Sequence, residues 1–152
     1  MPDNFSLILK NGSCFINGKV QKADIGILNK KIVKIGDLDK GKSKVVDVTD
    51  RIILPGIIDT QVHFREPGST DSEDLESGSR AAVLGGVTSL FEMPNTNPPT
   101  ANLEEFEKKL QAAKNRMHSN YAFYFGATPD NIEQLAKLKD VKGCCGVKLF
   151  AG

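Results

Sequence analysis

Leu54-Pro55-Gly56-Ile57-Ile58-Asp59-Thr60-Gln61-Val62-His63-Phe64-Arg65-Glu66-Pro67-Gly68 is the stretch on which the fold turns. An apolar run from Ile52 to Ile58 leads into a strand expected over residues 59–64. Polar side chains recur there at every second position: Asp59, Gln61, His63 and Arg65. Residues two apart on a strand share a face, so the four form one row. Polar groups on a buried strand are costly unless they bind something. A lone histidine reads as a satisfied core residue, whereas four polar residues in alternation read as a site.

Downstream of this strand, Thr70 with Glu73 three residues later predicts a capping box and a helix start. Leu75, Ser79, Ala82 and Val83 then share a face, and Gly85-Gly86 ends the helix. Val87 to Glu92 is the second strand. Asn102 and Glu105 repeat the cap signature, followed by the helical stripe Leu103, Phe106, Leu110 and Ala113. Tyr121 to Phe125 is the third strand. Thr128-Pro129 predicts a helix with proline in its first turn and Ile132, Leu135 and Leu138 on its buried face. Gly146 to Phe150 is the fourth strand.

Strands thus recur at a spacing of roughly 30 residues with a helix between each pair, the βαβ pattern. Four such units fit an open doubly wound sheet or the first half of an eight-stranded barrel, which usually needs ~250 residues. Periodicity leaves both open. No glycine-rich phosphate loop follows the first strand, so a nucleotide-binding sheet has little support.

Upstream, residues 1–52 read as short β segments: Phe5–Leu9, a hairpin of Ala23–Leu28 and Ile32–Ile35 about Asn29-Lys30-Lys31, and Val45–Val48. With no convincing helix, this part reads as an antiparallel sheet from a small sandwich or barrel. The expected division is a β-sandwich segment over 1–52 and a partial barrel domain over 53–152.

The chain has 152 residues with 20 basic and 19 acidic side chains and a net charge of +1. No strong field gathers nucleic acid or an anionic membrane, although one or two placed cations can still hold a small anion. The start, MPDNFSLILK, lacks a basic stretch followed by an apolar run and is not read as a secretory signal. No apolar run approaches the ~20 residues needed to span a bilayer. Cys14, Cys144 and Cys145 form no CxxC pair, and an odd count argues against a disulfide framework. A reduced cytoplasmic setting is the simplest reading, with Cys144 and Cys145 as small strand residues.

Three motifs carry a resemblance. LPGIIDTQVHFREPG looks like the metal-binding first strand of the amidohydrolase superfamily, and its REPG ending resembles the dihydroorotases. Phe91 to Thr100, FEMPNTNPPT, is similar to the MPNT loop of that family. Gly146-Val147-Lys148-Leu149-Phe150 matches a strand whose lysine is carboxylated in several amidohydrolases and bridges two metals. The resemblance implies a TIM-type (β/α)8 barrel, of which this chain holds the first four βα units, flanked by the β-rich start. It implies reversible hydrolysis of dihydroorotate to carbamoyl aspartate, a step of pyrimidine synthesis, with zinc as cofactor.

By the same resemblance His63 and Lys148 are metal ligands. Gln61 stands where the family normally has the first histidine of His-x-His and is a doubtful ligand. Arg65 and Asn95 would grip the substrate carboxylate, and a guanidinium fork suits that group. Allantoinases usually have asparagine at the Arg65 position. No catalytic residue is expected within this chain, because the family's aspartate falls on the eighth strand, beyond Gly152, and further histidines on the fifth and sixth. The chain thus reads as a fragment, its own activity in doubt.

A second reading is an inactive homologue that assembles with aspartate transcarbamoylase, since an amide oxygen is a poorer zinc ligand than imidazole. A third is a related ring hydrolase of the allantoinase or hydantoinase type. A homodimer is the other partner expectation. His118 matches no family ligand and reads as structural. Tyr121, Phe123 and Tyr124 read as core and rim. Lys108, Lys109 and Lys114 read as a solvated helix face.

Overall fold

The computed structural model describes residues 4–151. Residues 1–3, at the start of the stretch read for a leader, lie outside the described residues. The chain divides into two compact units, residues 1–55 and 56–152.

In the first unit, strands β1 (Leu7–Ile16), β2 (Lys19–Leu28), β3 (Lys31–Gly36), β4 (Lys44–Asp47) and β5 (Ile52–Ile53) form one five-stranded sheet. β1 and β2 are joined at Asn17-Gly18, and β2 and β3 at Asn29-Lys30. All four turn residues have positive φ, the conformation a two-residue hairpin requires and asparagine and glycine supply at least strain. The sheet is mixed, not antiparallel as expected: β4 and β5 both pair with β1 in parallel. A long excursion through residues 37–43 brings the chain back to run alongside β1, which local alternation cannot reveal. Phe5, Ile8 and Leu38 form the buried cluster of this unit. Asp24 is buried and accepts from Lys10 Nζ and from the backbone N–H groups of Asn11 and Leu38.

The second unit carries the candidate site. Strands β6 (Ile57–Val62), β7 (Val87–Glu92), β8 (Asn120–Gly126) and β9 (Cys144–Lys148) form a parallel sheet in the order β6-β7-β8-β9. A doubly wound sheet would reverse order at a switch point, and this one does not. Right-handed crossovers in sequential order put the connecting helices on one face. The packing agrees. Leu75 of α1 (Leu75–Leu84), Phe106 and Ala113 of α2 (Leu103–Ala113), and Leu138 of a short 3-10 helix (Ala136–Asp140) are buried against Phe64, Leu90, Phe123 and Phe125. Phe106 meets Phe123 edge-on at 6.4 Å, a favoured aromatic geometry.

Two helix starts differ from expectation. α1 begins at Leu75, because Asp74 is the N-cap and its carboxylate accepts from the N–H groups of Glu76 and Ser77 at 2.8 Å. The Thr70 signature falls instead in a turn, where Glu73 bonds Ser77. α3 (Ile132–Leu135) begins after Asn131, whose side chain is tied to the backbone at Ala101, Gly126 and Thr128. Thr128-Pro129 thus lies ahead of it, and Ile132 is exposed. The Asn102 cap is as read: its Oδ1 accepts from Glu105 N at 2.8 Å. Gly86, at φ +91°, takes the left-handed turn after α1.

Candidate functional site

β6 ends at Val62, one turn of the pleat earlier than the sequence implied. Arg65 therefore does not continue the row of Gln61 and His63. Its backbone is left-handed at φ +64° and its side chain is exposed, without a hydrogen bond or ion pair among the described residues. Gln61 is exposed, and its backbone N–H is held by Asp59 Oδ1 at 3.0 Å. His63 is half-buried, and its Nδ1 lies 2.9 Å from Oδ1 of Asn95. With a carbonyl oxygen as acceptor, Nδ1 carries the proton and Nε2 keeps its lone pair.

The two motif loops are docked on one another. Asn97 N donates to Pro67 O at 3.0 Å, and Met93 N donates to Val62 O at 2.9 Å. Gly68, at φ +113°, leaves room for Asn97: a Cβ there would lie 2.6 Å from its carbonyl oxygen. The 93–100 loop is closed by Thr100 N on Pro94 O and by Thr96 Oγ1 against Thr100 Oγ1. The structure thus brings Asn95 to His63, while no hydrogen bond links Arg65 to Asn95 among the described residues. Lys148 is the last residue of β9, with Nζ 5.2 Å from the centre of the Phe150 ring. β6 and β9 are the two edges of the sheet, three spacings of roughly 4.8 Å apart along it.

Behind the loops lie two ion pairs that sequence reasoning missed. Glu66 of the REPG segment faces Arg116, with contacts of 2.7 and 3.1 Å, and its Oε2 also accepts from Leu75 N at the start of α1. Lys109 is not solvated as expected. It is 2% exposed, its Nζ lies 2.9 Å from Oε2 of the equally buried Glu92, and it stands 5.1 Å over the Phe123 ring. Burial pushes the Glu92 carboxyl up to about 7, with the Lys109 charge holding it back; burial pulls the lysine down in turn. Lys108, one residue earlier, is exposed between Glu104 and Glu105. His118 pairs with Glu76 at 2.8 Å, in keeping with a structural role. Cys144 and Cys145 lie in β9, and burial raises the Cys145 thiol to about 11, which keeps it protonated and a poor ligand.

A family described as dihydro-orotase-like matches residues 50–146. The chain belongs to the dihydro-orotase-like family. This dihydro-orotase-like chain is 38% identical over 148 residues to an allantoinase of Rubrobacter xylanophilus, spanning 96% of itself and 32% of that protein. It is 37% identical to an allantoinase of Salmonella choleraesuis, again over 32% of that protein. Among solved structures, L-hydantoinase from Arthrobacter aurescens superposes with a TM-score of 0.82 at 29% identity, over 95% of this chain and 32% of that one. A D-hydantoinase from a Thermus species gives 0.70, also at 29% identity, over 87% of this chain and 30% of that one. The chain thus spans about a third of the length of these relatives. The mixed α/β architecture is theirs, and the names they carry are those of cyclic-amide hydrolases.

The metal that the family implies can be tested against the residues present. His63 fits as one donor, since Nδ1 is occupied by Asn95 and Nε2 has no partner among the described residues. Fixing the ring through its second nitrogen is how ligating histidines are held. Gln61 offers only an amide. No group of three or more His, Cys, Asp or Glu side chains is gathered among the described residues. The described residues supply part of a coordination shell and do not complete one. No helix among them is long and apolar enough to cross a membrane.

Proposed function

We propose that the complete protein hydrolyses a cyclic amide or ureide ring, with the sequential parallel strands β6 to β9 as half of a (β/α)8 barrel and the site at the carboxyl ends of its strands. The observation that carries this reading is the docking of the two strand-end loops, which sets His63 against Asn95 where a barrel places its chemistry. The likeness to allantoinases and hydantoinases favours an uncharged ring of that kind as substrate. The site also suits it, because Asn95 is engaged by His63 and Arg65 stands apart, so no carboxylate clamp is assembled.

A second reading keeps dihydroorotate as substrate. It rests on Arg65, an exposed guanidinium on the 64–68 segment, which docks on the loop that carries Asn95 and leaves the side chain free to swing onto a carboxylate. In either case the chain's own residues would bind and orient the ring: Asn95 through its amide, Arg65 through charge. Lys148 would reach the same mouth from β9 if the sheet curves as a barrel does. Zinc as the metal, a cytoplasmic location and a homodimer belong to this proposal; assembly with aspartate transcarbamoylase belongs to the reading of the chain as part of an inactive homologue.

The discriminating experiment assays the complete protein on allantoin, hydantoin and dihydroorotate, then repeats it with Arg65→Ala. Under the first reading, hydantoin or allantoin is hydrolysed and its KM is indifferent to the substitution. Under the second, dihydroorotate is hydrolysed and its KM rises, since losing a charge-assisted pair costs about 1.5–3 kcal/mol, or roughly ten- to hundredfold. Hydrolysis of none of the three by metal-loaded protein would overturn both.

A further inference from the structure

We propose that the buried Lys109–Glu92 pair is a positioning device, tying the end of β6 to the 93–100 loop and so setting the hydrogen bond between His63 and Asn95. Both side chains are almost fully buried, at 2% and 1% exposure. Three polar links run from them to the segments that carry the candidate site. Phe64 N, adjacent to His63, donates to Glu92 Oε1 at 3.3 Å. Lys109 Nζ donates to Met93 O at 3.3 Å, two residues before Asn95. The same Nζ reaches Thr100 Oγ1 at 3.5 Å, at the far end of that loop. Thr100 in turn meets Thr96 and Pro94, so the ammonium holds the loop at both ends.

A buried ion pair is a poor way to gain stability. Apolar residues of similar volume often do as well or better, because two charges must first leave water. Its distinctive contribution is direction: one ammonium pairs with the Glu92 carboxylate and donates to a carbonyl and a hydroxyl at once. Leucine and methionine in these places could fill the volume but could not reach Phe64 N, Met93 O or Thr100. The inference deepens the proposed reading of the site, yet its readout is the state of the His63 ring and needs no activity.

The experiment compares the wild-type protein with the double variant E92L/K109M, each labelled with nitrogen-15 histidine. The His63 resonances are assigned from their loss in His63→Gln. In the wild type, Nδ1–H is slowly exchanging and the ring is a single Nδ1–H tautomer. The double variant is expected to unfold in denaturant at a midpoint close to wild type, yet to lose the protected Nδ1–H signal. Wild-type stability together with an unchanged His63 signal would overturn the proposal. A second double variant, E92Q/K109M, keeps an acceptor for Phe64 N and severs only the loop. It is expected to lose the signal as well, and an intact signal there would equally overturn it. The outcome is separable from the assay on cyclic substrates: the ring signal can be lost in a protein with any substrate, and kept in one with none.

Discussion

Lys109 follows Lys108 on the same helix, yet one is sealed in the core and the other stands in solvent between two glutamates. A helix turns about 100° per residue, so neighbours in sequence face different surroundings. Lys109 lies three residues after Phe106 and four before Ala113, both buried, so it occupies the apolar stripe itself. That spacing was legible, and it places Lys109 among core positions; residue type alone placed it outside. The consequence for pH follows from Glu92. Its carboxyl titrates at about 7 in the folded protein against an ordinary 4.5, with Lys109 and Glu66 as the charged groups nearest it. A raised folded value means that the folded state binds the proton more tightly. The stabilising difference is complete below about 4.5 and is lost as pH rises towards 7. Relative to Glu92→Gln, which has no proton to lose, the wild type should therefore weaken between those two values. Denaturation midpoints of the two proteins across that window check it, and a constant difference would count against a titrating Glu92.

At the scale of elements, α1 is locked onto the site-bearing strand by close contact and by charge. Gly78 faces Phe64, and a Cβ there would lie 2.5 Å from the ring. Alanine favours a helix interior by about 1 kcal/mol over glycine, but overpacking a core costs about 1–3 kcal/mol. The clash is with a buried ring wedged against Leu75, so the second effect wins and Gly78→Ala should lower stability. An increase in the thermal midpoint would show that Phe64 yields freely. Arg116→Ala removes both contacts to Glu66, whose side chain is 15% exposed. Because the arginine is itself 39% exposed, water partly replaces it, and the loss should fall near the lower end for charged hydrogen bonds, about 1.5 kcal/mol, read by chemical denaturation. Neither role was visible in the sequence. REPG was read for its arginine, while its glutamate bonds a residue 50 positions away, and no local pattern reports such a partner. The four strands were legible because each is an apolar run between turn residues. The start of α1 was misplaced because Thr70 and Glu73 satisfy a pattern that Asp74 satisfies better, with two backbone N–H groups on one carboxylate.

For the whole molecule, metal content is the quantity that tests the proposed barrel site. A tetrahedral zinc centre draws on four donors, three of them from protein in catalytic sites. The described residues bring forward the imidazole of His63, with its Nε2 lone pair exposed by the Asn95 bond. They bring no second imidazole beside it, since Gln61 occupies the neighbouring position on β6. An amide oxygen is a neutral, harder donor than imidazole and competes poorly for zinc. Lys148 can contribute only after carboxylation, and a carbamate persists only if metal holds it. At the described edge of the sheet its ammonium rests against Phe150 instead. A complete protein should thus hold at most one metal ion tightly, bound chiefly by residues outside this chain, while residues 1–152 alone should bind none and keep Lys148 unmodified. Elemental analysis after dialysis gives the stoichiometry, and the intact mass of the peptide carrying Lys148 shows whether carbon dioxide has been added. Two equivalents of zinc per complete chain would mean that Gln61 coordinates after all. Gln61→His supplies the converse: a second equivalent should appear if the missing imidazole is what limits the site, and an unchanged metal content would shift the cause to other ligands.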